Sequence, residues 1–207
     1  MHMITTTEAV EPAKSRTRRM DGVPAPSQIA HIVLYSRRFR EMVRWYKAVL
    51  HMWASHEDDD MVAFLTYDEE HHRVAIVHMP DYKAQEEGVA GFNHIAFTYR
   101  TLSDLLSTHE RLAGIGIRPY WAVNHGPTTS MYFRDPDGNR LEMQVDNFST
   151  AAEGIEYCRS PEFAENPIGV DFDPPELLRR LKAGESEESL KRRPRIGPRG
   201  LTDFPRG

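Results

Sequence analysis

Residues 130–146 read SMYFRDPDGNRLEMQVD, two short apolar-alternating runs around an Asp-Pro-Asp-Gly-Asn turn. Successive side chains of a strand point to opposite faces, so Leu141, Met143 and Val145 share one side while Arg140, Glu142 and Gln144 share the other. In the preceding run Met131 and Phe133 take the apolar side and Tyr132 the reverse. A carboxylate and a phenol therefore lie on the back of strands whose fronts form a core.

The same parity recurs outward from this hairpin. In QIAHIVLYS (28–36) His31 is opposite Ile32 and Leu34; in FNHIAFTYR (92–100) His94 is opposite Ile95 and Phe97; in RVAIVHM (73–79) His78 is opposite Val77 and Met79. Between them, RRFREMVRWYKAVLHM places Phe39, Met42, Val43, Tyr46 and Leu50 on one helical face, and two further strands, HMWASHE and MVAFLTY, lead to the polar turn DEEHH. The unit reads βαβββ. It repeats after the linker PDYKAQEEGVAG: a strand from Phe92, a helix from Thr101 whose spacing to Asp104 suits a capping box, then strands around RPYWAV, SMYFRD and NRLEMQV. The spacings agree, 78 − 31 = 47 and 142 − 94 = 48 residues.

The expected architecture is thus α+β, two βαβββ modules (28–79 and 92–147) forming one cupped mixed sheet over residues 28–147. An N-terminal arm (1–27) precedes it and a C-terminal extension (148–207) follows, rich in Pro, Gly and charge, with one helix starting near Pro175. The extension is expected to wrap the domain or stay mobile, and its basic run KRRPRIGPR (191–199) to be a solvated tail. A net charge of −5 argues against a nucleic-acid partner. The single cysteine, Cys158, excludes an internal disulfide and a cysteine-based zinc site, and no apolar run suits a signal peptide or membrane span, so a cytoplasmic protein is expected.

If the sheet curls, the reverse faces line a cup, where two imidazoles and a carboxylate can bind a divalent metal. His2, His51, His56, His71, His72 and His109 lack the matching offsets and are read as structural or surface residues, and the tryptophans as core.

The segments AHIVLYS, GFNHIAF and HGPTTSMYFRDPDGNRLE resemble the vicinal oxygen chelate superfamily, and within it the one-domain type I extradiol ring-cleavage dioxygenases. The resemblance implies Fe(II), with Mn(II) as the alternative, held by His31, His94 and Glu142. It further implies His78 as an acid-base group beside bound oxygen, and Tyr132 and His125 as residues that orient the substrate. A catechol and O2 would be the small-molecule partners, and a homo-oligomer is expected. Two rivals stand beside this reading: a glyoxalase-like isomerase, epimerase or lyase with His78 as a fourth ligand, and a metal-free binding protein of the bleomycin-resistance kind.

Overall fold

The first helix forms where the apolar residues fall three and four apart. In the computed structural model, which describes residues 24–86 and 88–203, α1 spans Phe39–Val49 and buries Phe39, Met42, Val43, Tyr46 and Val49. It follows β1 (Ile32–Ser36) and precedes β2 (Trp53–Glu57), β3 (Val62–Thr66) and β4 (Val74–His78). The second module repeats the order with β5 (His94–Thr98), α2 (Leu102–Gly114), β6 (Trp121–Asn124), β7 (Thr128–Arg134) and β8 (Arg140–Asp146). Thr101 caps α2 by accepting a hydrogen bond from the Asp104 amide at 3.0 Å, as its spacing predicts. The two βαβββ modules and the α+β class are as the sequence indicates.

The sheets differ from expectation. Each module forms its own sheet, ordered β1-β4-β3-β2 and β5-β8-β7-β6, with parallel β1/β4 and β5/β8 pairs and antiparallel neighbours beyond them. Instead of joining into one cup within the chain, the two sheets leave β1 and β5 as edge strands, each with a single strand neighbour among the described residues. What unites the modules is the core behind them. Leu65, Val74 and Ile76 of the first sheet and Met131, Phe133, Leu141 and Met143 of the second belong to one cluster with the apolar faces of α1 and α2. Two polar ties hold the modules in this arrangement. The Arg111 guanidinium on α2 donates to the carbonyls of Ala48 and Val49 at the end of α1 (2.6 and 3.2 Å), and the buried Tyr46 hydroxyl donates to Asp135 (3.2 Å). Asp135 in turn fixes the β7–β8 turn by accepting from the Asp137 and Asn139 amides.

The extension is ordered through most of its length and includes more helix than its composition suggests: α3 (Ala151–Cys158), α4 (Pro161–Glu165), β9 (Val170–Asp171), α5 (Pro174–Lys182) and α6 (Glu187–Lys191). Of the two outcomes left open, wrapping is the one observed. Strand β9 adds to β6 as a fifth strand, Leu177, Leu178 and Leu190 enter the shared core, and the Glu187 carboxylate caps the first amides of α2, Leu102 and Ser103, at 3.0 and 2.9 Å. The basic run is not a solvated tail. Arg193 is buried and donates to the carbonyls of Glu162, Asn166 and His125, and Arg199 pairs with Asp171. The compact unit begins at His31. Most of the expected N-terminal arm, residues 1–23, lies outside the described residues.

Gly169 fixes the approach of the extension to β6. Its φ is +111°, and a Cβ there would lie 2.4 Å from the Asn124 carbonyl oxygen and 2.8 Å from His125 Cα. Gly138, in the β7–β8 turn at φ +92°, has open space where its Cβ would be. Gly138→Ala is expected to cost about 1 kcal/mol of stability in urea unfolding, the conformational term alone. Gly169→Ala is expected to cost roughly 3 kcal/mol or more, because backbone must also move. Equal effects would show that the close approach at Gly169 is unimportant.

Candidate active site

The registers of the second sheet decide which side chains meet on its open face. Glu142 pairs with Tyr132 across β7/β8 and with Ala96 across β5/β8, and Tyr132 pairs with Trp121 across β6/β7. Paired residues share a face, so Trp121, Tyr132 and Glu142 form one row, with His94 two residues before Ala96 on the same side. His94 Nε2 lies 3.0 Å from Glu142 Oε2, and the Trp121 and Tyr132 rings stack at 4.9 Å. His125, just past β6, completes the group: its Nε2 is 2.9 Å from the Tyr132 hydroxyl.

The hydrogen-bond directions follow from what each atom can do. A backbone carbonyl only accepts, so His125 Nδ1, 2.5 Å from the Ile168 oxygen, carries the hydrogen, and Nε2 accepts from Tyr132. Burial pushes the His125 pKa down, which keeps the ring neutral in this tautomer. The Tyr132 pKa is pushed up, first by burial and then by the Glu142 charge, so the hydroxyl stays a donor. Burial acts against the charge of Glu142, but hydrogen bonds from His94 and Ser130 and the nearby imidazoles outweigh it and hold the carboxyl below its usual range. Sequence parity could have flagged Trp121 and Ser130. The Ile168 carbonyl, from the extension, leaves no signal in side-chain pattern.

The pair of His94 and Glu142 suits a cation. His94 lies between two oxygens, Asn93 Oδ1 at 2.7 Å from Nδ1 and Glu142 Oε2 at 3.0 Å from Nε2, and a neutral imidazole has one N–H to offer them. A metal shared by Nε2 and Oε2 resolves this shortage. Adjacent ligands each about 2.1 Å from one ion are themselves about 3 Å apart, so the observed spacing fits.

The other expected residues lie elsewhere. His31 is exposed on the open side of the first sheet, 4.2 Å from the His72 ring and 6.3 Å from His71. These three bring ligand nitrogens within 4.8 Å of one another, the grouping of that kind found among the described residues, and it excludes His94 and Glu142. His72, read from sequence as a structural or surface residue, is the former: it is buried and stacks on Phe64 at 4.6 Å. Glu70 accepts from His71 Nδ1 at 2.5 Å. His78 pairs with Ser36 at the end of β4, sharing the face of Val74 and Ile76 rather than the reverse face, and its ring stacks on Phe39 at 5.7 Å. The Asp60 carbonyl, 2.9 Å away, fixes its hydrogen on Nδ1.

Comparison with known proteins now bears on this geometry. The family model for the Glyoxalase/Bleomycin resistance protein/Dioxygenase superfamily matches residues 28–143. The biphenyl-2,3-diol 1,2-dioxygenase 2 of Rhodococcus globerulus is 45% identical over 161 residues, 77% of this chain and 84% of that one. The biphenyl-2,3-diol 1,2-dioxygenase 3 of the same organism is 42% identical over 168 residues, 80% and 88% of the two chains. Among solved structures, a glyoxylase/bleomycin resistance protein/dioxygenase domain from Frankia sp. EAN1pec superposes with a TM-score of 0.52 at 21% identity, covering 61% of this chain and 96% of that one.

Burial lowers the pKa of both His125 and His109 from the ordinary 6.5. The unfolded chain then binds protons that the folded chain refuses, so their stabilisation is complete above pH 6.5 and lost as pH falls below it. The melting temperature is expected to drop between about pH 6.5 and 5, and His109→Gln to flatten part of that drop. A melting temperature constant across this window would contradict the assignment of buried neutral imidazoles.

Proposed function

The chain belongs to the glyoxalase/bleomycin resistance protein/dioxygenase superfamily, and from that premise we infer that it is an extradiol dioxygenase that opens an aromatic vicinal diol with O2. The observation that carries this reading is identity above 40% to two biphenyl-2,3-diol 1,2-dioxygenases over more than three quarters of the chain. The reaction breaks the ring C–C bond next to the diol and places both oxygen atoms in the product, one as a carbonyl and one in a carboxylate. The proposed substrate is a two-ring catechol of the 2,3-dihydroxybiphenyl type. The relatives' names support it, as does the stacked Trp121 and Tyr132 wall beside Glu142.

The metal proposed is Fe(II), with His94 and Glu142 as two ligands and His31 as the third. When bound, it supplies a Lewis acid that acidifies the diol and brings it beside O2. The side chains do the rest. Tyr132 gives its one hydrogen to neutral His125, whose Nδ1–H is fixed on Ile168, so its oxygen accepts from a substrate hydroxyl and that hydroxyl's proton is taken up through Tyr132 by His125 Nε2. His78, its Nδ1–H committed to Asp60, leaves Nε2 as an acceptor, so in its proposed acid-base role it takes up a proton there before returning it to the reacting oxygen. The register of β4 argues against His78 as a fourth metal ligand, because it shares the face of Ile76 and packs on Phe39. That weakens the four-ligand isomerase alternative. Among the described residues no helix is long and apolar enough to cross a membrane.

The test is oxygen uptake by protein loaded anaerobically with Fe(II) and offered 2,3-dihydroxybiphenyl and catechol, with the visible absorbance of the ring-opened product recorded alongside. Uptake and colour are expected together, fastest with the two-ring diol. Glu142→Ala should abolish both and lose the metal. His78→Ala should keep the metal and lose turnover on the order of 10²-fold or more. Stoichiometric metal without oxygen uptake would overturn the reading.

A further inference from the structure

We propose that Arg193, in the C-terminal extension, is a positioning residue for the reaction: its guanidinium fixes the His125 loop against the Ile168 carbonyl and so keeps the hydrogen of His125 on Nδ1. The inference rests on the dioxygenase reading given above and adds which group keeps His125 Nε2 able to take up a proton.

The tautomer decides whether that uptake can happen. With its hydrogen on Nδ1, held by the Ile168 oxygen at 2.5 Å, His125 offers Nε2 as the acceptor of the Tyr132 hydroxyl at 2.9 Å. With the hydrogen on Nε2 the ring would donate to Tyr132 instead, and the path from a substrate hydroxyl through Tyr132 would end there. The choice depends on one backbone oxygen, 43 residues further along the chain, in the segment between α4 and β9.

Arg193 ties these two segments to one rigid group. Its Nη1 donates to the carbonyls of both His125 (3.2 Å) and Asn166 (2.7 Å), and its Nη2 to the carbonyl of Glu162 in α4 (3.0 Å). The Asn166 side chain carries the connection onward, accepting from the Gly169 amide at 2.7 Å and donating to the Gly169 carbonyl at 3.1 Å. Ile168 therefore sits in a short closed loop whose backbone is set relative to His125 by a planar fork. The same guanidinium lies over the Tyr157 ring, 5.4 Å from its centroid, and that ring fills the space a Cβ on Gly126 (φ +103°) would need. The loop is thus held by Arg193 directly at His125 and through Tyr157 at Gly126.

The setting of Arg193 favours geometry over stability as its role. Its side chain is 4% exposed, the nearest carboxylate oxygen among the described residues is 3.8 Å away on Glu162, and its buried Nε has no hydrogen-bond partner among them. A buried guanidinium answered mainly by carbonyls loses its hydration without a close counter-charge, which makes it a poor source of stability. Arg195 provides the contrast. It pairs with the same Glu162 carboxylate at 3.5 Å from an exposed position and bonds none of these carbonyls among the described residues.

The test compares three full-length variants with wild type: Arg193→Met, which keeps the apolar stem without the fork, Arg193→Lys, which keeps the charge, and Arg195→Met. The tautomer is read by ¹⁵N NMR of the histidine rings in the metal-free chain, with the His125 signals assigned by their loss in His125→Gln. Turnover is read as oxygen uptake by the Fe(II)-loaded enzymes with 2,3-dihydroxybiphenyl. Wild type and Arg195→Met are expected to show the Nδ1–H pattern alone. Arg193→Met should show both tautomers and a kcat lower by about 10-fold, with iron content unchanged and KM within about twofold. Arg193→Lys should fall between, because an ammonium cannot reproduce the planar fork. It carries the comparison should Arg193→Met not fold.

An Nδ1–H pattern unchanged in the folded Arg193 variants overturns the positioning role whatever their turnover, and leaves the dioxygenase reading standing where wild type consumes oxygen. Mixed tautomers with wild-type kcat overturn it as well. Iron-loaded wild type that consumes no oxygen removes the dioxygenase reading and this inference with it.

Discussion

The pairing of β8 is the constraint on which the rest depends. Held parallel to β5 and antiparallel to β7, this strand sends Leu141, Met143 and Val145 into the core and leaves Glu142 on the other side in register with Tyr132. A shift of one residue would bury Glu142 among aliphatic side chains and turn the apolar residues outward. The register that minimises exposed apolar area is thus the one that fixes the carboxylate beside His94. Fold stability and site geometry are set by the same hydrogen bonds.

That dependence explains why so much could be read from sequence. The alternation in NRLEMQV and FNHIAFT, the helical spacing from Phe39 to Val49 and the Thr101 cap are local patterns, and the structure follows them. What misled was arithmetic across loops. The spacings of 47 and 48 residues suggest that His78 corresponds to Glu142. In the sheets, however, Glu142 faces the residue two past His94, and the residue two past His31 is Val33, which faces Ala75. His78 is three residues further on and on the other face. Loop and turn lengths between strands differ in the two modules, so equal separations in sequence do not give equal positions in a sheet.

The remaining surprises are non-local. Nothing in DEEHH distinguishes His72 from His71, yet one is buried against Phe64 and His31 and the other is exposed. The extension reads as polar and proline-rich, but a few leucines at helical spacing and two arginines with carbonyl partners suffice to seat it. That the two sheets stay separate within the chain follows from how α1 and α2 share a core, which no single strand or helix encodes.

The seating of the extension reaches the row of candidate site residues as well as the core. His125 can accept from Tyr132 only if its hydrogen stays on Nδ1, and the group that holds it there is the Ile168 carbonyl. Ile168 is held in turn by its neighbours: Asn166 bonds the Gly169 amide, the Arg193 guanidinium bridges the carbonyls of Asn166 and His125, and Gly169 alone allows the close approach to Asn124. An imidazole on a bare loop would exchange tautomers freely. Here a segment far along the chain selects one of them, so the extension sets the hydrogen-bonding state of His125 although it supplies no side chain to the row formed by Trp121, Tyr132 and Glu142.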